Sequence, residues 1–153
     1  MNDIRIELAD AEATEKLGAR LAQQLPRPSL VFLHGDLGAG KTTLVRGLLR
    51  GLGHKGAVRS PTYTLIEPYE LSGRRIYHLD LYRLGDPEEL EYIGIRDLLA
   101  GDYLCLVEWP QRGEGCLPTP DLDLCLEYVG EARRAVLKPR SAAAKTSLFN
   151  VVP

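Results

Sequence analysis

Apolar residues fall in short runs of two distinct periods along the chain. Ile4, Ile6 and Leu8 alternate with polar residues, as in a half-buried strand, whereas Leu17, Leu21 and Leu25 recur every four residues, as on one face of a helix. Asp10 is placed to cap that helix, and Pro26 and Pro28 end it. A β-prone run, Leu30, Val31, Phe32 and Leu33, is followed by helical spacing at Leu44, Val45, Leu48, Leu49 and Leu52, with Gly53 as a stop. Residues 58–70 and 75–82, joined across Leu71-Ser72-Gly73-Arg74, predict a β-hairpin. Asp86-Pro87-Glu88-Glu89 starts a short helix reaching about Ile93, and Ile95 begins another brief helical piece. Residues 103–109 (YLCLVEW) suit a strand buried on both faces of a parallel sheet, stopped by Pro110. LDLCLEYV and RRAVLKP, either side of Gly130-Glu131-Ala132, predict a second hairpin. The pattern describes one α/β domain over residues 1–140, with a mixed, mostly parallel sheet flanked by helices and carrying β-hairpins. Residues 141–153 lack a partner pattern and read as a flexible tail, with Leu148 and Phe149 as candidates to dock.

The loop between the second strand and its helix carries the clearest chemistry. Gly35, Gly40, Lys41 and Thr42 fit G-x-x-x-x-G-K-[ST], the phosphate-binding loop (Walker A), in the strand-loop-helix context it requires. Gly35, Gly38 and Gly40 let backbone N–H groups converge on phosphate oxygens, and the helix presents its positive dipole end to the anion. Lys41 would reach the β- and γ-phosphates and the Thr42 hydroxyl a Mg²⁺ ion.

Two carboxylates stand where that chemistry uses them. Alternation puts Asp80 on one strand face with Ile76, His78 and Tyr82, a position that packing alone rarely gives to an acid. Glu108 ends an apolar strand, where an acid at the carboxyl edge meets the Mg²⁺ shell in phosphate-loop enzymes; the alternative is a solvated acid at the strand's exit. Thr14, in the first helix, has a hydroxyl that serves either a ligand or the backbone.

Composition narrows the function. At 153 residues there is room for one domain. No long uncharged apolar run and no basic-then-apolar start occur, so neither a membrane span nor a signal peptide is expected. The three cysteines, Cys105, Cys116 and Cys125, show no metal spacing and read as reduced thiols of a cytoplasmic protein. His34, His54 and His78 are too scattered for a metal cluster and read as structural. A net charge of −2 argues against autonomous nucleic-acid binding, and the pairs Arg74-Arg75 and Arg133-Arg134 read as solvated surface.

Four stretches in order, GDLGAGKTTLVRGL, SPTYTLIEPYE, HLDLYRL and VEWP, resemble the TsaE (YjeE) family, the ATPase subunit of the bacterial tRNA threonylcarbamoyladenosine system. The resemblance covers roughly residues 10–138. It implies a P-loop NTPase fold, ATP and Mg²⁺ as ligands, and work beside TsaB and TsaD, which transfer threonylcarbamoyl to adenosine 37 of tRNA; contact with tRNA is then indirect. It also implies that Asp36, Leu37, Gly38, Ala39, Gly40, Lys41, Thr42 and Thr43 wrap the phosphates and that residues 60–64 are a switch able to offer Thr62 or Thr64. Glu108 then belongs to the Mg²⁺ shell with Thr42, and Asp80 to that shell or to the attacking water, which makes Lys41, Asp80 and Glu108 the catalytic set. Thr14 would lie near the base, Arg133 or Arg134 near the nucleotide, and Trp109 would report nucleotide state. Two other classes share the loop: a small-molecule kinase and a binding module that never hydrolyses its nucleotide.

Overall fold

Strands form where apolar residues alternate or run together. In the computed structural model, which describes residues 3–148, these are β1 (Ile4–Leu8), β2 (Ser29–His34), β3 (Ile66–Leu71), β4 (Arg74–Asp80), β5 (Tyr103–Glu108), β6 (Leu122–Val129) and β7 (Ala132–Pro139). They make one seven-stranded sheet in the order β1-β7-β6-β2-β5-β4-β3. The centre, β6-β2-β5-β4, is parallel, while β1–β7, β6–β7 and β3–β4 pair antiparallel. The sheet is mixed, but "mostly parallel" is corrected: three of its six pairings are antiparallel. Two of the three, β3–β4 and β6–β7, follow from their connections, since a two-residue turn can only reverse a strand and a parallel neighbour needs a long crossover; the third, β1–β7, joins strands from opposite ends of the chain.

Both hairpins lie where the sequence puts them, with one boundary moved. Ser72 and Gly73 both take positive φ (54° and 72°), the tight turn whose twist matches that of the strands it joins. The first strand of this hairpin begins at Ile66, eight residues later than the composition suggests. Leu65 turns back, with φ of 72° and its N–H bonded to Pro61 O, so residues 58–65 form a loop instead. β3 is an outer strand of the sheet, and Pro68 lies within it opposite Tyr77.

The sheet is covered on both faces. Helices α1 (Ala11–Gln24) and α2 (Lys41–Gly51) bury Leu17, Leu21, Leu44, Val45 and Leu48 against Val31, Leu33, Leu104, Leu106 and Leu124. The short helices α3 (Glu89–Tyr92) and α4 (Ile95–Leu98) bury Leu90 and Ile95 with Leu79, Leu81, Cys105 and Val107 on the other face. Asp10 caps α1 as expected, its Oδ1 accepting from Ala13 N; Asp86 Oδ1 accepts from Glu88 N and Glu89 Oε1 from Asp86 N in the turn that leads into α3, whose helical residues begin at Glu89 rather than Pro87. Among the described residues no helix is long and apolar enough to cross a membrane. The three cysteines are free, and burial pushes the Cys105 thiol up to about 12.

Two further expectations change. The tail read as flexible holds a helix, α5 (Ala142–Ser147), because Ser141 caps the N–H of Ala144 and three alanines favour the helical state. Ala144 and Leu148 are fully buried, so the tail docks as far as Leu148; Phe149 lies outside the described residues. Arg74, read as solvated surface, is buried instead. Its guanidinium donates to Pro26 O at 3.1 Å and faces Asp102 at 3.4 Å, where Arg27 also pairs, so its charge is neutralised inside.

The helix pair α1–α2 meets backbone to backbone through glycines. A Cβ at Gly47 would sit 2.1 Å from Glu15 O, and one at Gly18 2.2 Å from Leu44 O. Gly47→Ala is therefore expected to lower stability by about 1–2 kcal/mol in urea unfolding, overpacking outweighing the better helix propensity of alanine. An unchanged or raised midpoint would show that the two helices can part without loss.

Candidate functional site

The glycine-rich loop leaves β2 at His34 and enters α2 at Lys41. Gly40, the residue before the helix, has φ of 109°, which a side chain would strain, and no side chain caps the helix there. The first backbone bond of α2 runs from Leu44 N to Gly40 O. The N–H groups of Lys41, Thr42 and Thr43 thus lack an intrahelical acceptor and, with the helix dipole behind them, form a preorganised anion cradle. The loop is braced from the last hairpin: Tyr128 donates to Leu37 O at 2.8 Å, and Arg133 stacks on Tyr128 at 4.1 Å and reaches Gly38 O at 3.5 Å.

Lys41 is nearly buried, donates to Gly35 O at 2.6 Å and lies 4.1 Å over the Trp109 ring. Burial pulls its pKa below the ordinary lysine value, against the opposing pull of the Glu108, Asp80 and Asp36 carboxylates. The ammonium is held ready on a carbonyl and an aromatic face, both weaker partners than a phosphate oxygen.

The carboxylates arrive on neighbouring strand ends. Parallel pairing aligns Asp80 with Glu108, and Glu108 with Leu33 of β2, so both acids stand at the carboxyl edge of the sheet beside the loop. Both are buried. Asp80 Oδ1 accepts from Tyr82 N at 2.9 Å and Oδ2 from the Thr62 hydroxyl at 3.2 Å, while Glu108 Oε2 meets His78 Nε2 at 2.6 Å. A cleft of about 410 Å³ is lined by Leu37, Gly38, Gly40, Lys41, Thr42, Thr43, Ser60, Thr62, Asp80, Tyr82, Glu108 and Trp109. Its oxygen donors, the Thr42 hydroxyl and two carboxylates, suit a hard cation such as Mg²⁺. Among the described residues no group of three or more His, Cys, Asp or Glu could hold a metal ion.

Residues 60–64 hang over this cleft. Ser60 and Thr62 hydroxyls bond at 2.8 Å, Thr62 reaches Asp80, and the exposed Tyr63 lies under the Arg83 guanidinium at 4.4 Å. Thr64 instead faces away to Glu67, at 3.4 Å. Trp109, with φ of 56°, occupies a left-handed conformation strained for a bulky residue and packs on Tyr82 at 5.1 Å.

Most sequence-selected residues thus meet. Gly38, Gly40, Lys41, Thr42, Thr43, Asp80 and Glu108 share the cleft, with Leu37 at its rim. Ala39 is buried beneath the loop, and Asp36 forms its turn by accepting from Ala39 N. Arg133 sits on the loop's outer side rather than in the cleft. Thr14 is also not in the cleft: it is buried in α1, its hydroxyl bonds Asp10 O at 3.4 Å, and its methyl lies near Gly40, so it packs behind the loop. Tyr82, Tyr128 and His78 are additions. His78 was detectable as the same-face neighbour of Asp80, but Tyr128 is 91 residues from Leu37 and only the fold brings it there.

A family model described as "Threonylcarbamoyl adenosine biosynthesis protein TsaE" matches residues 8–136. The chain is 56% identical over 108 residues to a tRNA threonylcarbamoyladenosine biosynthesis protein TsaE of Haemophilus influenzae, covering 71% of this chain and 68% of the relative. It is 36% identical over 137 residues to the TsaE protein of Bacillus subtilis, covering 89% and 85%. The crystal structure of Bacillus subtilis YdiB superposes with a TM-score of 0.81 at 27% identity, over 97% of this chain and 93% of that one.

Trp109 is the only tryptophan, and Lys41 lies on its ring. Lys41→Ala is expected to change the emission of the unliganded protein, and ADP with Mg²⁺ to change that of the native chain by drawing the ammonium away. An emission spectrum indifferent to both would break the link between the loop and the ring.

Proposed function

Because the chain belongs to the TsaE family, which serves the biosynthesis of threonylcarbamoyladenosine in tRNA, we propose that it is a P-loop ATPase that hydrolyses ATP with Mg²⁺ in support of threonylcarbamoyl transfer by TsaB and TsaD. The observation that carries this reading is the convergence of Lys41, Thr42, Asp80 and Glu108 on one cleft at the sheet's carboxyl edge.

Each residue then has a task. The N–H groups at the start of α2 bind phosphate oxygens, and Lys41 leaves Gly35 O and the Trp109 face to neutralise charge on the β- and γ-phosphates. Thr42 and Glu108 hold the Mg²⁺ shell, directly or through water; bound there, the ion supplies charge neutralisation of the phosphates. Asp80, pinned by Tyr82 N and Thr62, joins that shell or orients the attacking water. Residues 60–64 act as the switch, because the Thr62 hydroxyl bonded to Asp80 is free to exchange that partner for the γ-phosphate or the ion.

The net charge of −2 supports leaving the tRNA to the partners; contact with nucleic acid is then indirect, and the protein works in the cytoplasm where the tRNA is modified. Hydrolysis by the lone subunit is slow, since an ordered switch and an added positive charge are what a partner completes.

Phosphate release from ATP is expected to rise when TsaB and TsaD are added, and to fall about 100-fold in Glu108→Gln with metal-free nucleotide binding largely kept. Equal rates with and without partners would refute partner activation. Transfer of label from ATP to a small acceptor would make the protein a kinase, and no phosphate release even with partners would make it a binding module.

A further inference from the structure

Of the three histidines only His78 is fully buried, in the middle of β4, where its face of the strand otherwise meets the leucine-rich layer under α1 and α2. A polar ring in such a place is unfavourable unless it is bonded. It has one partner: His78 Nε2 lies 2.6 Å from Glu108 Oε2. Nδ1, equally buried, has no hydrogen-bond partner. The ring's hydrogen bonding is thus directed wholly at Glu108. The strand register explains the aim: Asp80 is aligned with Glu108 across the β4–β5 pair, and His78, two residues earlier on the same face, lies beneath the Glu108 side chain.

We propose that His78 is a positioning residue for Glu108. By holding Oε2 from below, it fixes the carboxylate's rotation and leaves Oε1 to face the cleft that Glu108 lines, beside Thr42 and Asp80. A glutamate has three rotatable side-chain bonds, and without the imidazole the carboxylate would swing among rotamers, including ones bonded to Lys41. This inference rests on the reading of Glu108 as part of the Mg²⁺ shell.

The test compares nucleotide binding with and without a metal in the full chain. ADP affinity is measured by titration calorimetry in the presence of Mn²⁺ and again in EDTA, and the ratio of the two is the metal's contribution. A partly unfolded variant loses both affinities alike, so the ratio still reports the site. The variants are His78→Gln, whose amide nitrogen reaches about as far as Nε2; His78→Asn, one methylene too short; and Glu108→Gln. The ratio is expected to fall 10-fold or more in His78→Asn and in Glu108→Gln, to stay within about 3-fold of the native value in His78→Gln, and ADP affinity in EDTA to change little in any folded variant. Native ratios in both His78 variants would overturn the proposal, as would equal losses in the two, because the ring would then only fill space. A native ratio in Glu108→Gln would instead overturn the metal-shell reading of Glu108, and with it the ground for the inference.

Discussion

Parallel pairing of β4 with β5, and of β5 with β2, sets the register on which the site depends. Asp80, Glu108 and the start of the glycine-rich loop share one edge only because three strands end level. Side chains alternate between faces, so a slip of one residue would carry a carboxylate into the layer of Leu79 and Val107. Such a slip would bury a carboxyl group among apolar side chains away from its donors, and that cost opposes it. Leu104 and Leu106 pack under α1 and α2, and Cys105 and Val107 under α3 and α4.

The same constraint creates an electrostatic problem that the surrounding groups answer. Two buried carboxylates side by side repel, and each is steadied by its own donors: Asp80 by Tyr82 N and Thr62, Glu108 by His78. Lys41 is a cation whose charge both acids feel, held on a carbonyl and an aromatic face. On the proposed function, a phosphate that draws Lys41 away leaves the acids without their cation. On the same reading, a divalent ion arriving with the phosphates would restore the balance, so nucleotide and metal would bind together.

Much of this was legible in the sequence because the signals were local. The loop's glycines, Lys41 and Thr42 are contiguous, and the apolar run before Glu108 identifies a buried strand whose end is an acid. What was not legible depends on neighbours far along the chain. Arg74 is buried because Asp102 and the Pro26 carbonyl meet it there, and Tyr128 braces Leu37 because β6 lies beside β2. The strand expected from Val58 begins only at Ile66, since Pro61 and the reversed Leu65 override the β-propensity of the residues between them. Leu148 stood out as a residue able to dock, but the helix α5 before it did not, because an alanine-rich segment with a single buried leucine shows almost no periodicity.

The placement of Pro68 bears on how copies of the chain behave toward each other. An outer strand with a complete row of free N–H groups is a template for another molecule's strand, and crowding favours such pairing. Proline within a strand is tolerated where its nitrogen points away from the ladder, so the open side of β3 lacks one donor of that row, and Glu67 and Glu70 flank the gap with negative charge. Two such edges meeting would leave a carbonyl unmatched and bring like charges together. The β3 edge is thereby a poor seed for lateral polymerisation.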